Sequence, residues 1–283
     1  MLRLIQSNDL EQLGAQFCIQ SAARQGDPLQ PEIVLVQSLG TGQWLKLQTA
    51  ERLGIAANIT CQLPAQFIWQ LYQQVLGLEQ QQPVEAGGLA FRLMHLLENF
   101  EEPSIRAYLE RGSEADLRYF QLAAKISAAF ENYLLYRPDW LLAWQSGQTG
   151  VSQNAHSWQP KLWQHLVTAD PNLAKNHRAY LHQKLIEALQ APKLNTALPK
   201  RISLFGLASL APMHLETFSQ LANHCQVDLY FMNPSEAYWG DIVSAKRAQK
   251  QKLKTAIASQ DKDSGLAEDY YFLGNPLLSS LGR

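Results

Sequence analysis

Apolar residues in the first part of the chain form short runs separated by amphipathic stretches. Ile33–Val36 is apolar on both faces and mostly β-branched, which is typical of a buried parallel strand. Leu2–Ile5 predicts a shorter strand, and Ser7-Asn8-Asp9 after it supplies good helix caps. The other predictions for this part are a helix through about Ala22, a helix over Gln43–Leu53, a strand at Ile55–Ile59 and a helix from Pro64. Strands that alternate with helices indicate a parallel α/β sheet.

The pattern changes between residues 87 and 198, where apolar residues follow helical spacing and no strand is predicted. A strand at Arg201–Phe205, a helix over Pro212–His224 and a strand at Val227–Phe231 then restore the first pattern. This order indicates a helical segment inserted into an α/β domain. We predict an α/β domain from residues 1–82 and 200–283, and a helical insertion subdomain from residues 83–199.

Composition limits the classes of partner and compartment. A net charge of -1 excludes nucleic-acid binding by bulk charge alone, although a local basic groove stays possible. Cys18, Cys61 and Cys225 lie far apart, which favours a reduced cytosolic chain over a disulfide scaffold. No signal peptide or membrane-spanning run is recognised, so a cytoplasmic location without membrane contact is expected. Glutamine is abundant, with 30 residues of which 17 precede residue 83.

Motifs for catalysis are missing from the sequence. No Gly-Lys pair occurs, so there is no Walker A loop, and Leu45 stands where Gly40-Thr41-Gly42 would need a third glycine for dinucleotide binding. No acidic residue has Lys two places later, as many metal-dependent nucleases require, and no Gly-x-Ser-x-Gly elbow occurs. His177 and His182 are five residues apart, which does not suit a shared zinc site on a helix. We therefore expect no catalytic residue, no metal and no cofactor in this chain.

A binding surface is predicted instead at the rim of the sheet. Gln37 and Gln43 lie where the second strand ends, and Leu63 and Trp69 lie near the start of the helix after the third strand. Amides can read base edges and aromatic rings can stack on bases, so the set suits single-stranded nucleic acid. The alternative is that the aromatic residues of this region are core at helical spacing. The residues by themselves leave both interpretations open.

Recognisable stretches occur in order along most of the chain: Leu35-Val36-Gln37-Ser38, Gln43-Trp44-Leu45, Gly54–Ile59, Leu63-Pro64-Ala65, Phe67-Ile68-Trp69, Tyr136–Leu141, Asn233-Pro234, Tyr238–Ile242 and Gly274–Leu278. In these stretches the sequence resembles the RecC family, the gamma subunits of exodeoxyribonuclease V. RecC proteins are much longer, so the resemblance places this chain at their N-terminal portion.

The resemblance implies a RecA-like parallel sheet of a degenerate superfamily 1 helicase core with an all-helical inserted subdomain. It implies a non-catalytic subunit of the RecBCD helicase–nuclease, with RecB and RecD as partners that use ATP and Mg²⁺. The expected role is to split duplex ends, channel single strands and recognise the Chi sequence during double-strand break repair by homologous recombination. Single-stranded and forked DNA are the expected ligands.

Carried over residue by residue, the strand-contacting positions of the family fall on Gln37, Gln43, Leu63, Trp69, Arg137 and Arg178. Arg137 lies within the matching Tyr-Arg-Pro-Asp-Trp segment, whereas Arg178 depends on the shorter His177-Arg178-Ala179 match. Leu39 and the pair Glu131-Asn132 depart from the family pattern, which puts an unchanged Chi sequence in doubt. The rival hypotheses are a stand-alone helicase or nuclease of similar fold, and a pure protein-interaction module for RecB or RecD.

Overall fold

The structure, a computed structural model, describes residues 1–24, 29–78, 86–110, 115–148, 158–191 and 196–235. The strands in these ranges are β1 (Leu2–Ser7), β2 (Glu32–Val36), β3 (Ile59–Gln62), β4 (Arg201–Phe205) and β5 (Gln226–Met232). The helices are α1 (Leu10–Ala22), α2 (Leu39–Leu53), α3 (Pro64–Leu76), α4 (Ala86–Glu98), α5 (Pro103–Leu109), α6 (Ala115–Tyr136), α7 (Pro138–Gln145), α8 (Trp158–Ala169), α9 (Pro171–Asn176), α10 (Arg178–Gln190) and α11 (Pro212–Leu221). None of the helices in these ranges combines the length and the apolar character needed to cross a membrane.

The chain divides into two compact units. One, the α/β unit, contains residues 2–63, 201–209 and, in the described part, 228–235. The other, the helical unit, contains Met1 and the described residues of 64–200 and 210–227. The domain boundaries at residues 82 and 199 stay a prediction.

A five-stranded sheet with the order β1-β5-β4-β2-β3 confirms the predicted α/β class. β2 pairs in parallel with β3 and with β4, so that Val34 lies opposite Cys61 on one side and Ser203 on the other. The apolar run predicted as a buried strand is β2, whose Val34, Leu35 and Val36 are fully buried. Burial on both faces is usual for the strands of a parallel sheet.

Two predicted boundaries in the α/β unit were wrong. α2 begins at Leu39 rather than Gln43, because Ser38 caps it by accepting a hydrogen bond from the Thr41 amide at 3.1 Å. The third strand begins at Ile59 and not at Ile55. Gly54 ends α2 with a φ of 80°, and Asn58 has a φ of 56°, so the chain turns through left-handed conformations before it becomes extended.

The helical prediction for residues 87–198 is confirmed for the described residues, all of whose regular elements there are helices. Their core is aromatic, with Phe130 and Trp163 in edge-to-face contact at 5.3 Å between ring centroids. The Trp163 indole donates a hydrogen bond of 3.1 Å to the Leu141 carbonyl, which joins α8 to α7. Later in the chain, α11 stops at Leu221 instead of the predicted His224.

A buried ion pair holds the amino ends of two central strands together. The Glu32 carboxylate of β2 is 2% exposed and accepts hydrogen bonds from the Arg201 guanidinium of β4 and, at 2.6 Å, from the Ser21 hydroxyl of α1. Loss of one partner from such a pair leaves an uncompensated buried charge, which is much more costly than loss of a surface pair.

We expect Glu32→Gln to lower the free energy of unfolding by about 3 kcal/mol, because the Arg201 charge then lies buried without a counterion. Urea denaturation followed by circular dichroism measures the loss. Glu187→Gln, which removes the exposed partner of Lys184 in α10, is the control and should leave the midpoint unchanged. Equal midpoints for the two variants would contradict the assigned role.

Candidate nucleic-acid interface

One cavity of about 570 Å³ in the helical unit brings together two of the residues predicted to contact DNA. Its size lies within the range of roughly 300–1,000 Å³ that is usual for ligand pockets. Trp69 of α3 lines it together with Arg178, the first residue of α10, and His214 from the first turn of α11. These positions are far apart in the sequence, so the site exists only because the three helices pack together.

The wall provided by α3 is both apolar and amide-bearing. The half-buried Trp69 indole packs edge-to-face against the Tyr72 ring at 5.9 Å, which fixes the indole plane. Gln66, Gln70 and Gln73 also line the cavity, at the i, i+4 and i+7 spacing that places side chains on one helix face. A stacking ring beside neutral hydrogen-bonding groups is an arrangement that suits an unstacked base.

Arg178 gives the cavity a positive charge that is not neutralised within the described part of the chain, where its guanidinium has no carboxylate partner. None of the described residues that line the cavity is acidic. Burial lowers the pKa of His214 and the Arg178 charge acts in the same direction, whereas this charge opposes the burial that raises the pKa of Tyr72.

Tyr72 carries a further polar group that its surroundings do not satisfy. Its side chain is 2% exposed, and among the described residues its hydroxyl has no hydrogen-bond partner. Buried hydroxyls are usually paired, and the unpaired one of Tyr72 belongs to a residue that lines the cavity.

The position of Arg178 is set by the residue before it. His177 caps α10: its Nδ1 accepts a hydrogen bond of 3.2 Å from the Tyr180 amide. Its Nε2 then carries the proton and donates to the Gln145 Oε1 of α7 at 2.8 Å. Burial lowers the pKa of His177 to about 4, so the ring is neutral at neutral pH and can fill both roles.

The predicted residues of the α/β unit lie at the carboxyl ends of two neighbouring parallel strands. Gln37 directly follows β2 and Gln43 lies in the second turn of α2, and both side chains are exposed. Leu63 directly follows β3 and is half-buried. This edge is where parallel sheets commonly bind ligands, and the placement leaves the amides of both glutamines accessible.

Arg137 lies between α6 and α7 and is not part of the cavity lining. Its guanidinium donates two hydrogen bonds to the Asp139 carboxylate, at 3.0 and 2.7 Å, and stacks 4.0 Å from the centroid of the Trp140 ring. The pair holds the pKa of Asp139 below its usual value. Arg137 is therefore held in one orientation but its charge is already balanced, unlike that of Arg178.

The structure distinguishes the aromatic residues that belong to the core from the one that lines the cavity. Phe67 is core: it is 3% exposed and stacks on Phe218 of α11 at 6.3 Å. Trp44 packs against Phe205 at 6.1 Å within the core of the α/β unit. Trp69 alone of these three lines the cavity.

Comparison with known proteins gives the family. The family model described as "RecC, N-terminal domain" matches residues 2–283. The chain belongs to the RecC family. It is 35% identical to the RecBCD enzyme subunit RecC of Escherichia coli K12 over all of its length, and 33% identical to that of Haemophilus influenzae over 91%. The RecC of Mycolicibacterium smegmatis is 27% identical over 91% of the chain.

The chain spans about a quarter of the length of these RecC relatives, since it covers 27%, 27% and 22% of them. The resemblance read from the sequence is thereby confirmed at the level of the RecC family and its N-terminal portion. The matching stretches Tyr238–Ile242 and Gly274–Leu278 lie outside the described residues. The strand-contacting roles of the six carried-over residues stay predictions.

Sequence reasoning missed the three glutamines and His214 that line the cavity. The spacing of Gln66, Gln70 and Gln73 was a usable signal, because it marks a polar stripe on a helix that also carries Trp69. No local signal marked His214, which joins the cavity only through the packing of α11.

We expect His177→Ala to lower the free energy of unfolding by about 1–3 kcal/mol, because the cap of α10 and the bond to Gln145 are both lost. Because the pKa of His177 is lowered in the folded state, its stabilising effect is complete above the ordinary pKa of 6.5 and is lost as the pH falls towards 4. Urea denaturation between pH 7.5 and 4 should therefore show a smaller pH dependence in the variant.

His165→Ala is the matched control, since that exposed ring on α8 only touches the edge of Phe100. Its unfolding midpoint and pH dependence should resemble those of the unchanged chain. An unaltered pH profile in His177→Ala would show that the cap does not depend on the neutral ring.

Proposed function

We propose that this chain is the DNA-binding N-terminal portion of a non-catalytic RecC subunit. In this role it acts with RecB and RecD to split duplex ends, channel single strands and recognise Chi during double-strand break repair. The partner subunits use the ATP and Mg²⁺. The observation that carries the proposal is the cavity of Trp69 and Arg178, which combines a stacking surface with a cation that has no described carboxylate partner.

A degenerate helicase core is part of the same proposal. The segment after β1 is where a nucleotide-hydrolysing domain would carry its phosphate loop, and here the Asp9 carboxylate caps α1. It accepts hydrogen bonds from the Glu11 amide at 2.8 Å and the Gln12 amide at 3.4 Å. A carboxylate on these amides competes with a phosphate for the same donors, which supports a role without ATP hydrolysis.

The groups that line the cavity suit different parts of a nucleotide. Arg178, at the start of a helix, suits a phosphate, whereas the Trp69 indole suits the face of a base. The amides of Gln70 and Gln73 can donate to and accept from base edges without adding charge. A strand held by one cation and one ring binds weakly enough at each position to move, as a translocating complex requires.

We expect Trp69→Ala to weaken binding of a short fluorescein-labelled single-stranded oligonucleotide about tenfold or more, since base–aromatic stacking is worth about 1–3 kcal/mol per base. Arg178→Ala should weaken binding to all sequences and reduce the slope of log affinity against log salt by about 0.7, the value for one phosphate of a single strand. Fluorescence anisotropy at low and rising salt measures both effects.

Phe91→Ala on α4 and Lys161→Ala on α8 are the controls, because both side chains are exposed and neither lines the cavity. Equal affinities for the cavity variants and these controls would refute the cavity as a strand site. ATP-dependent unwinding by the purified chain would instead favour a stand-alone helicase.

In the full complex with RecB and RecD, Gln43→Ala combined with Arg137→Ala should alter the response to Chi and leave unwinding largely intact. The reason is that both residues are assigned to reading the strand and neither to driving its movement. Gel analysis of the products from Chi-containing duplex DNA measures the response. The control is Gln48→Ala combined with Arg118→Ala: Gln48 lies on α2 with Gln43, and Arg118 lies on α6, which ends directly before Arg137. An unchanged Chi response in the tested pair would refute their assignment.

A further inference from the structure

His214 differs from the other buried or capping histidines of the helical unit in having no structural task for its ring. His177 uses both nitrogens, His182 bonds to the Glu216 carboxylate at 2.9 Å, and His224 bonds to the Leu189 carbonyl at 2.6 Å. Among the described residues, no side chain or carbonyl hydrogen-bonds the half-buried ring of His214. The ring nevertheless lines the cavity of Trp69 and Arg178.

The charge of the His214 ring is set by its neighbours. Burial, together with the smaller effects of Arg178 and His182 on α10, lowers its pKa to about 4. Glu216 on α11 is occupied by its hydrogen bond to His182. At neutral pH the His214 ring therefore offers one nitrogen donor and one acceptor.

The fold places this donor–acceptor pair beside the groups assigned to phosphate and base. Arg178 is the first residue of α10 and His214 the third of α11, so the first turns of two helices contribute to one cavity. Ala211 precedes α11 and gives it no side-chain cap, so no carboxylate or hydroxyl of that residue competes for ligand there. With the phosphate assigned to Arg178, the ring of His214 is left to contact a base edge.

We propose that His214 is a specificity-determining residue of this cavity, where its imidazole hydrogen-bonds the edge of one unstacked base whose ring stacks on Trp69 and whose phosphate contacts Arg178. The inference rests on the proposed function, because it assumes that the cavity takes a nucleotide of single-stranded DNA. It adds a residue that reads the base where Arg178 supplies affinity without sequence information.

The test is a set of labelled oligonucleotides that each differ at one position, measured by anisotropy against the unchanged chain and its variants. The unchanged chain should prefer one base at one position. His214→Ala should reduce that preference about three- to tenfold, the range expected for loss of one hydrogen bond, and should leave the other positions unchanged. Arg178→Ala should lower the affinity for every oligonucleotide by a similar factor.

Two conservative variants separate base reading from a structural role. The amide of Gln reaches the position of Nε2 and that of Asn the position of Nδ1, so His214→Gln or His214→Asn should restore the preference according to which nitrogen contacts the base. His165→Ala is the control for loss of a histidine elsewhere. Thermal midpoints of all variants are compared, and His214→Ala should melt within a few degrees of the unchanged chain.

The outcomes distinguish this inference from the function on which it rests. If Trp69→Ala and Arg178→Ala do not weaken binding, the strand-binding function of the cavity fails. If they weaken binding but the unchanged chain has no base preference, or His214→Ala retains the full preference, the role of His214 alone is overturned. A preference lost in His214→Ala and restored by one amide variant supports it.

Discussion

The neutral imidazole of His177 is the contact that fixes the start of α10, the helix that brings Arg178 to the cavity. It donates to Gln145 of α7, accepts from the Tyr180 amide of α10 and packs edge-to-face on Trp163 of α8 at 5.3 Å. A neutral ring has one donor and one acceptor, and both are used inside the protein. A charged ring would need a second acceptor, so burial and hydrogen bonding together select the neutral form. Because His177 caps α10, the same contact fixes where Arg178 begins that helix.

The two arginines carried over from the RecC resemblance are presented in different ways. Arg137 is held by Asp139 and by the Trp140 ring, so it is ordered but its charge is balanced. Arg178 lines a cavity without an acidic residue among its described lining. An arginine that is balanced by a carboxylate contributes shape and directed donors more than attraction, whereas an unbalanced one attracts phosphate. Any contribution of Arg137 to strand reading therefore depends on orientation, and that of Arg178 on charge.

Sequence patterns located most elements because local burial decides them. The run that became β2 is buried on both faces, and Pro64 begins α3 where its missing N–H costs nothing. The pattern failed where one residue's conformation decides a boundary. The Ser38 cap makes α2 begin four residues before the predicted start, and Asn58 in a left-handed conformation delays β3. Position 42 inside α2 requires glycine, because a Cβ there would lie 2.7 Å from the Cys61 Cβ.

The sequence by itself determined the class of fold, the RecC resemblance and the identity of Trp69 and Arg178 as candidates. Periodicity and matching motifs are local properties, so they can be recognised without knowledge of how the helices pack. Only the tertiary structure decided that these two residues share a cavity with three glutamines and His214. It also decided that Phe67 is core while Trp69, two residues later, is not. The physical reason is that the site is built by three helices distant in sequence, and the face each buries depends on the others.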